Sequence, residues 1–554
     1  MNHRSPARKH PRHPAVPVWL WIRTHIIDPV RQVRLPYLPP LLVYMAAGIS
    51  GLTGIVGTFF VKDTLGLSAE FLAMLGFWIG LPWALKMPLG HLVDLIWRWK
   101  SALVVLGAVL IGAGLAIMLG LIGSTAWMTQ FMRVESWFVL GALLAPVGSV
   151  IQDVVADAMT VEAVPLVDDK GAAFDDRTIR LMHTTMQTLG RMAIVGGGIA
   201  VSVVNIVMFS GVGTMPEELK RSVYTDIYQM ALLIPVISVA GVVLAGLLKR
   251  IRARKYRELG LSDGRFIPGK DRSGPAVQPN WWILGGSLVF VLFTLVMGLC
   301  QVPYNQEIVL AGSLAIVLFL MAKLLRELSP SARRTLVGTA IVIFVFRALP
   351  GPGAGATWWQ IDTLGFDQQF MSMLSLISGG LALLGMFVFR RFMAEKSIAH
   401  VVGFLTLVGS LLSLPIIGMY YGLHEWTSAL TNGIVDARFI AVVDTALESP
   451  LGQVAMIPML AWIANSAPPH LKATYFAVMA SFTNLALSLS YLGTKYLNQI
   501  FRVSREVLDL QSGAVTVPAD YAELGVLLIT VTCFGLLLPM LTIWFVQRSP
   551  LRSA

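Results

Sequence analysis

Part of this chain is written twice. Residues 63–75 read DTLGLSAEFLAML and residues 362–374 read DTLGFDQQFMSML, with seven of thirteen positions identical at an offset of 299. A second echo pairs Ala145-Pro146-Val147-Gly148-Ser149-Val150 with Ser449-Pro450-Leu451-Gly452-Gln453-Val454, at offset 304. Each copy sits between apolar stretches. A long apolar chain with two similar halves is the signature of an internally repeated carrier, with a solute path between the halves.

Composition excludes a soluble fold. Of 554 residues, 56% are hydrophobic and 13% charged, against about 25% charged in soluble domains. Fourteen stretches are candidates to cross the membrane: 37–61, 70–92, 101–123, 136–161, 179–209, 228–248, 281–301, 307–326, 335–350, 369–393, 399–421, 438–464, 472–499 and 523–547. With segments this long, helices satisfy their own backbone groups in lipid. The expected architecture is therefore an all-α polytopic membrane protein of the major-facilitator type. It has two parallel six-helix repeats and an inserted helix pair. The copies are eight helices apart, an even number, so both halves point the same way. The parts are a basic N-terminal segment (1–36), a first half (37–248), a basic linker (249–280), the inserted pair (281–333), a second half (334–547) and a tail (548–554).

The formal net charge of +11 does not imply nucleic acid. Threading the helices with the N-terminus inside puts 31 of the 42 Lys and Arg on one side. This is the positive-inside bias, and it predicts both termini in the cytoplasm and an inner-membrane location. The first long apolar run reads as a membrane helix rather than a cleaved signal peptide. Cys300 and Cys533 lie in apolar helices and read as core residues. No phosphate loop, HExxH, CxxC pair or GxSxG motif is present, so no cofactor, no metal and no enzyme activity is expected. A membrane-embedded enzyme would need more than His183 and His400.

Ionisable residues inside spans are expensive, about 2.5–3.5 kcal/mol each by insertion scales, and mark function by default. In the second span Pro82 and Pro88 bracket Lys86, beside Trp83; each proline removes a backbone donor. The alternative is that Lys86 reaches to the interface. Asp94, with Arg98 and Lys100, follows at the inner end and reads as a gate. In the fourth span Ser149, Asp153 and Asp157 fall at i, i+4, i+8 on one face. Two neighbouring carboxylates can hold one proton, or can each pair with a base. In the fifth span Thr184, Gln187 and Arg191 share a face, and Arg191 needs an anion: Asp153, Asp157 or a solute. In the second half Arg347 sits among aromatics, before Pro350 and Trp358-Trp359, where it suits a planar anion or an interfacial anchor. Asp444 and Glu448 lie i, i+4 ahead of Pro450, with static, gating and coupling roles open. Ser481, Asn484, Ser488, Tyr491 and Lys495 form a polar stripe, either solute-facing or helix–helix glue.

Four segments together resemble the folate–biopterin transporter family, a branch of the major facilitator superfamily: PWALKMPLGHLVD (82–94), QDVVADAMTVEA (152–163), FRALPGPGAGATWWQIDTLGF (346–366) and 444–486. Met87, with proline one place later at 88, departs from the family's pattern, as does a count of fourteen helices. The likeness covers both halves but not residues 1–36 or the inserted pair. It implies a secondary carrier of folate- or pterin-like anionic aromatic solutes, coupled to protons and working by alternating access. Lys86, Trp83, Gln187, Arg191, Arg347 and Asn484 would contact the solute. Asp153, Asp157, Asp444 and Glu448 would handle protons, and Asp94 and Arg98 would gate. Expected partners are the solute, protons and the bilayer, with no nucleic acid; a monomer is compatible with the reading, and the oligomeric state stays open. Other readings are a carrier of another solute, such as a muropeptide, and a non-transporting scaffold.

Overall fold

The computed structural model describes residues 34–552 apart from 66, 97–98, 166–171, 173, 259–280, 300–301, 327, 453, 455–471 and 509–514. The first half contains α1 (Leu38–Ile49), α2 (Gly54–Thr64), α3 (Ala69–Gly80), α4 (Lys86–Leu95), α5 (Lys100–Gly123), α6 (Val134–Ala163), α7 (Asp176–Met208), α8 (Glu217–Ala231) and α9 (Leu233–Glu258). Then come α10 (Trp281–Leu299) and α11 (Asn305–Leu325). The second half contains α12 (Pro330–Arg347), α13 (Ala354–Asp362), α14 (Gln368–Val388), α15 (Ile398–Leu412), α16 (Leu414–Tyr420), α17 (Ala437–Glu448), α18 (Lys472–Ile500) and α19 (Leu524–Arg548). Between α18 and α19, β1 (Val507–Leu508) and β2 (Val515–Val517) form a short antiparallel hairpin.

Among the described residues, nine helical runs are long and apolar enough to cross a membrane; Ala69–Ala84 and Leu284–Gly298 are shorter apolar runs. Val109, Val207, Leu411 and Phe545 are each more than half exposed. Such a surface belongs in lipid rather than in water.

Several expected spans are interrupted, each for a local reason. The first is split by a tight turn at Ser50–Thr53, where the Ser50 hydroxyl donates to the Ala47 carbonyl at 2.6 Å. The second is α3 and α4 joined by a tight turn at Leu81–Leu85 that opens on Pro82. The ninth stops at Arg347, and the chain resumes as α13 through Trp358 and Trp359. Gly353, at φ +78, makes a break that other residues would resist. The expected linker begins as helix, since α9 runs on to Glu258; its Lys, Arg and Glu residues are good helix formers. Residues 259–280 of that linker lie outside the described residues, as do residues 1–33. The expected span 438–464 is α17 followed by a turn at Ser449–Leu451, and 455–471 is likewise not described.

Glycines allow the closest packing. A Cβ on Gly48 would lie 2.2 Å from the Ile194 carbonyl oxygen, so α1 meets α7 backbone to backbone. Gly107 and Gly148 play the same part between α5 and α6. Across the halves, α3 packs on α18 and α7 packs on α14. The repeated segments adopt the same local structure. Ser68 caps α3 by accepting from Phe71 N–H (3.0 Å), and Asp367, its counterpart at offset 299, caps α14 by accepting from Phe370 N–H (2.7 Å). A side-chain acceptor at this position is the usual start signal of a helix.

The inserted pair lies at an edge of the bundle. Trp281, Trp282, Leu288 and Leu292 of α10 are exposed, while Val309, Val317, Leu320 and Leu325 of α11 join a core with Phe77, Leu336, Met479 and Phe482. α11 also makes polar contacts that the sequence does not announce. Gln306 donates to the Met74 carbonyl at 3.0 Å. Glu307 takes Lys495 at 3.0 Å and the Tyr496 hydroxyl. One helix end is thus tied to α3 in the first half and to α18 in the second.

Candidate functional site

Two prolines and a pair of aspartates build the charged centre of the first half. The break at Leu81–Leu85 lets α4 start at Lys86. Its Nζ lies 2.5 Å from Asp153 Oδ2 and 2.9 Å from Asp157 Oδ2. The two aspartates are one turn apart on α6, so one ammonium spans both. Tyr44 of α1 donates its hydroxyl to Asp157 Oδ1 at 2.6 Å. Ser149, on the same stripe, donates to its own helix at the Ala145 carbonyl (2.9 Å). The side chains of Lys86 and Asp153 are about one-fifth exposed and that of Asp157 more, at 43%.

Arg191 is within electrostatic reach of Asp153 and Tyr44, yet Lys86 holds the carboxylates. Of the partners expected for Arg191 (Asp153, Asp157 or a solute anion), the two aspartates are held at hydrogen-bond distance by Lys86 instead. Arg191 is exposed, on the side of α7 opposite the exposed Ala200, Val203 and Val207. With a residue every 100°, that places it toward the interior of the bundle rather than toward lipid. Lys86 and Arg191 balance Asp153 and Asp157 in charge. The side chain of Gln187 is not among those described.

Other candidates meet at the seam between the halves. Asn484 of α18 donates to the Trp83 carbonyl at 3.0 Å, which also accepts the Lys86 backbone N–H. Arg347 Nε donates to the Thr483 carbonyl at 3.1 Å, one residue from Asn484. Trp358 and Trp359 do not gather round Arg347: Trp358 lies under Arg505, 5.5 Å from ring centre to guanidinium, and Trp359 packs against Tyr420. Asp444 and Glu448 stand on α17, which packs on α14 and α15. They make no contact with the Lys86 cluster among the described residues. Asp444 is half-buried, with Oδ1 unpartnered among the described residues; Glu448 is exposed. Asp94 lies in α4 with its side chain not described, and Arg98 lies outside the described residues.

Along α6, about 12 Å beyond Asp153 at 1.5 Å per residue, a cavity of about 440 Å³ lies between the halves. Thr53, Gly57, Phe138, Ala145 and Tyr228 line it from the first half and Trp358 from the second. At this end, Lys62 bridges to Asp362 at 2.6 Å and to its neighbour Asp63 at 3.3 Å. Tyr521, in the loop after the hairpin, donates to Asp362 at 2.5 Å; burial and then this bond push its phenol above the ordinary range. Gln368 donates to Tyr224 at 2.7 Å and Gln499 to Glu70 at 2.6 Å, both across the halves. This end of the molecule is thus cross-linked.

These features are those of a polytopic helical membrane protein, and solved transporter structures share its fold. A crystal structure of a POT family transporter in complex with 5-aminolevulinic acid has the same fold, with TM-score 0.58, 12% identity, and 92% of this chain and 95% of that one covered. An auto-inhibited POT family peptide transporter also aligns with TM-score 0.58, at 14% identity over 93% and 97% of the two chains.

Sequence comparison finds a family match over the second part of the chain and similar proteins beyond it. Residues 281–552 match the BT1 family. The folate-biopterin transporter of Synechocystis sp. is 22% identical over 460 residues, 81% of this chain and 72% of that protein. Folate transporter 2 of Plasmodium falciparum is 27% identical over 158 residues, 28% of this chain and 33% of that protein. The resemblance carried by the four motifs is borne out, and the relatives are transporters rather than enzymes. The family match starts at 281 and so includes the inserted pair, which the four motifs leave out.

Proposed function

We propose that the chain is a secondary active carrier of a folate- or pterin-like anionic aromatic solute, driven by protons. It would work by alternating access, with two parallel six-helix repeats among fourteen spans and both termini in the cytoplasm. The observation that carries the reading is Lys86 clamped between Asp153 and Asp157, with Arg191 nearby. With both carboxylates charged, the four groups sum to zero and an anion gains little. Protonating one carboxylate loosens Lys86 and leaves a net positive site facing the interior, which attracts an anion. Proton and anion are then bound together and leave together. That is symport with no separate coupling device. A solute carboxylate suits Arg191 through a two-pronged contact, and a fused aromatic ring suits the cavity bordered by Phe138, Tyr228 and Trp358.

The matched cross-half pairs, α3 with α18 and α7 with α14, support rocking of one half on the other, because the repeat relates α3 to α14. The relatives named as folate transporters support the substrate class. Asp94 and Arg98 are assigned to the inner gate, Arg347, Asn484, Trp83 and Gln187 to the solute path, and Asp444 and Glu448 to a second proton position.

The test is uptake of radiolabelled folate and of a simple pterin into proteoliposomes, with and without an inward proton gradient. Gradient-stimulated uptake of either, lost in Asp157→Asn, is the expected result. No uptake of either by protein that stays monodisperse would remove the substrate class and point to another solute.

A further inference from the structure

The repeat that opens the sequence also supplies a latch. Asp63 and Asp362 occupy the same position in the two copies, and both face one lysine. Lys62 is 2.6 Å from Asp362 of the other half and 3.3 Å from Asp63 of its own. Its side chain is only 14% exposed, so a lysine stranded there without an anion would be costly. Directly beside it, Val61 and Trp358 line the cavity between the halves. Over Trp358 lies Arg505, only 3% exposed, from the loop between α18 and α19. Its Nε and Nη2 have no partner among the described residues. Tyr521 of the same loop completes the cluster by donating to Asp362.

We propose that Lys62, Asp362, Arg505 and Tyr521 form a latch that closes this end of the solute path, with Asp63 as the partner that Lys62 keeps when the latch opens. The proposal rests on the alternating-access reading above. When the halves part, Lys62 gives up Asp362 and keeps Asp63, which it already contacts at 3.3 Å, and so never loses its counter-ion. A single aspartate would leave the cation bare on opening, which would lock the closed state; two repeat-related aspartates flatten the path. Arg505 lies within electrostatic reach of Asp63 and Asp362, which holds the latch closed, but its Nε and Nη2 donors go unsatisfied there, which limits what Arg505 adds to the closed state.

The experiment is a spin-label distance measurement in nanodiscs, with no solute present, so that its failure is separate from failure of the substrate assignment. Labels go on Leu219→Cys in the first half and Leu430→Cys in the second, both exposed at this end, in a background lacking Cys300 and Cys533. In Lys62→Ala and in Asp362→Asn the population of the longer, open distance rises about tenfold. The charge swap Lys62→Asp with Asp362→Lys returns it to the starting distribution. Asp63→Asn lowers the population of the open distance below that of the native protein, because opening now strands the lysine. An unchanged distribution in both single variants would overturn the latch, as would a swap that fails to reclose it. An undiminished open population in Asp63→Asn would overturn the role of Asp63.

Discussion

Lys86→Gln is the substitution with the most calculable consequence. Asp153 Oδ2 and Asp157 Oδ2 lie 2.5 and 2.9 Å from one Nζ, so they are no more than about 5.4 Å apart. Two unit charges at that distance repel by about 3 kcal/mol at an effective dielectric constant of about 20. With the lysine present, two attractions at shorter range exceed that repulsion. Without it, only Arg191, at longer range, offsets the repulsion, and the cheapest relief is to hold a proton, since up to about 3 kcal/mol corresponds to as much as roughly a hundredfold in proton affinity. Tyr44 still donates to Asp157 and does not remove the charge. Lys86→Gln therefore keeps a proton that the native protein gives up in each cycle. The expected result is a folded carrier that binds solute but whose uptake ignores an inward proton gradient. The assay is initial uptake at matched internal and external pH, then with the outside one unit more acid. A Lys86→Gln variant that keeps the native stimulation by the gradient would refute the charge argument.

Other outcomes follow from the same geometry. Arg191→Gln lowers affinity for a carboxylate-bearing solute by about tenfold or more while affecting a neutral analogue little, read from concentration dependence of uptake. Glu307→Gln costs on the order of 1 kcal/mol of stability through loss of the Lys495 pair, which is partly exposed, and leaves solute affinity intact; thermal unfolding in detergent checks the first and uptake the second. Gly48→Val forces α1 away from the Ile194 backbone and removes the monodisperse peak in size-exclusion chromatography.

Local features are legible in the amino-acid sequence. Spacing along one helix places Asp153 and Asp157 on a common face. Pro82 announces the break at Leu81–Leu85, after which α4 starts at Lys86, while Pro88 falls within the first turn of α4. The repeated DTLG segments announce two matching turns, and Ser68 and Asp367 indeed cap matching helices. What lies across a gap is not legible. Nothing in 63–75 says that Lys62 reaches a residue 300 positions away, and the charge logic that assigns Arg191 to the aspartates cannot see that Lys86 is nearer. Glu307 looks like a helix-end charge until α11 is packed beside Lys495. A Pro-Gly run ahead of Trp358 and Trp359 reads as the end of a span, yet Gly353 absorbs the break and helix resumes. Arg505 carries no signal at all: it sits in a polar connection, and its burial comes from a loop folded over the end of the bundle.

The most direct test of proton-coupled anion entry is to watch the proton itself. Liposomes carrying the reconstituted protein and an internal pH dye are given folate outside, at equal pH on both sides. The account predicts internal acidification that tracks radiolabelled uptake and is absent in Asp157→Asn. Uptake without acidification would contradict it, and would leave a carrier of the same fold in which the Lys86 cluster is a fixed structural element.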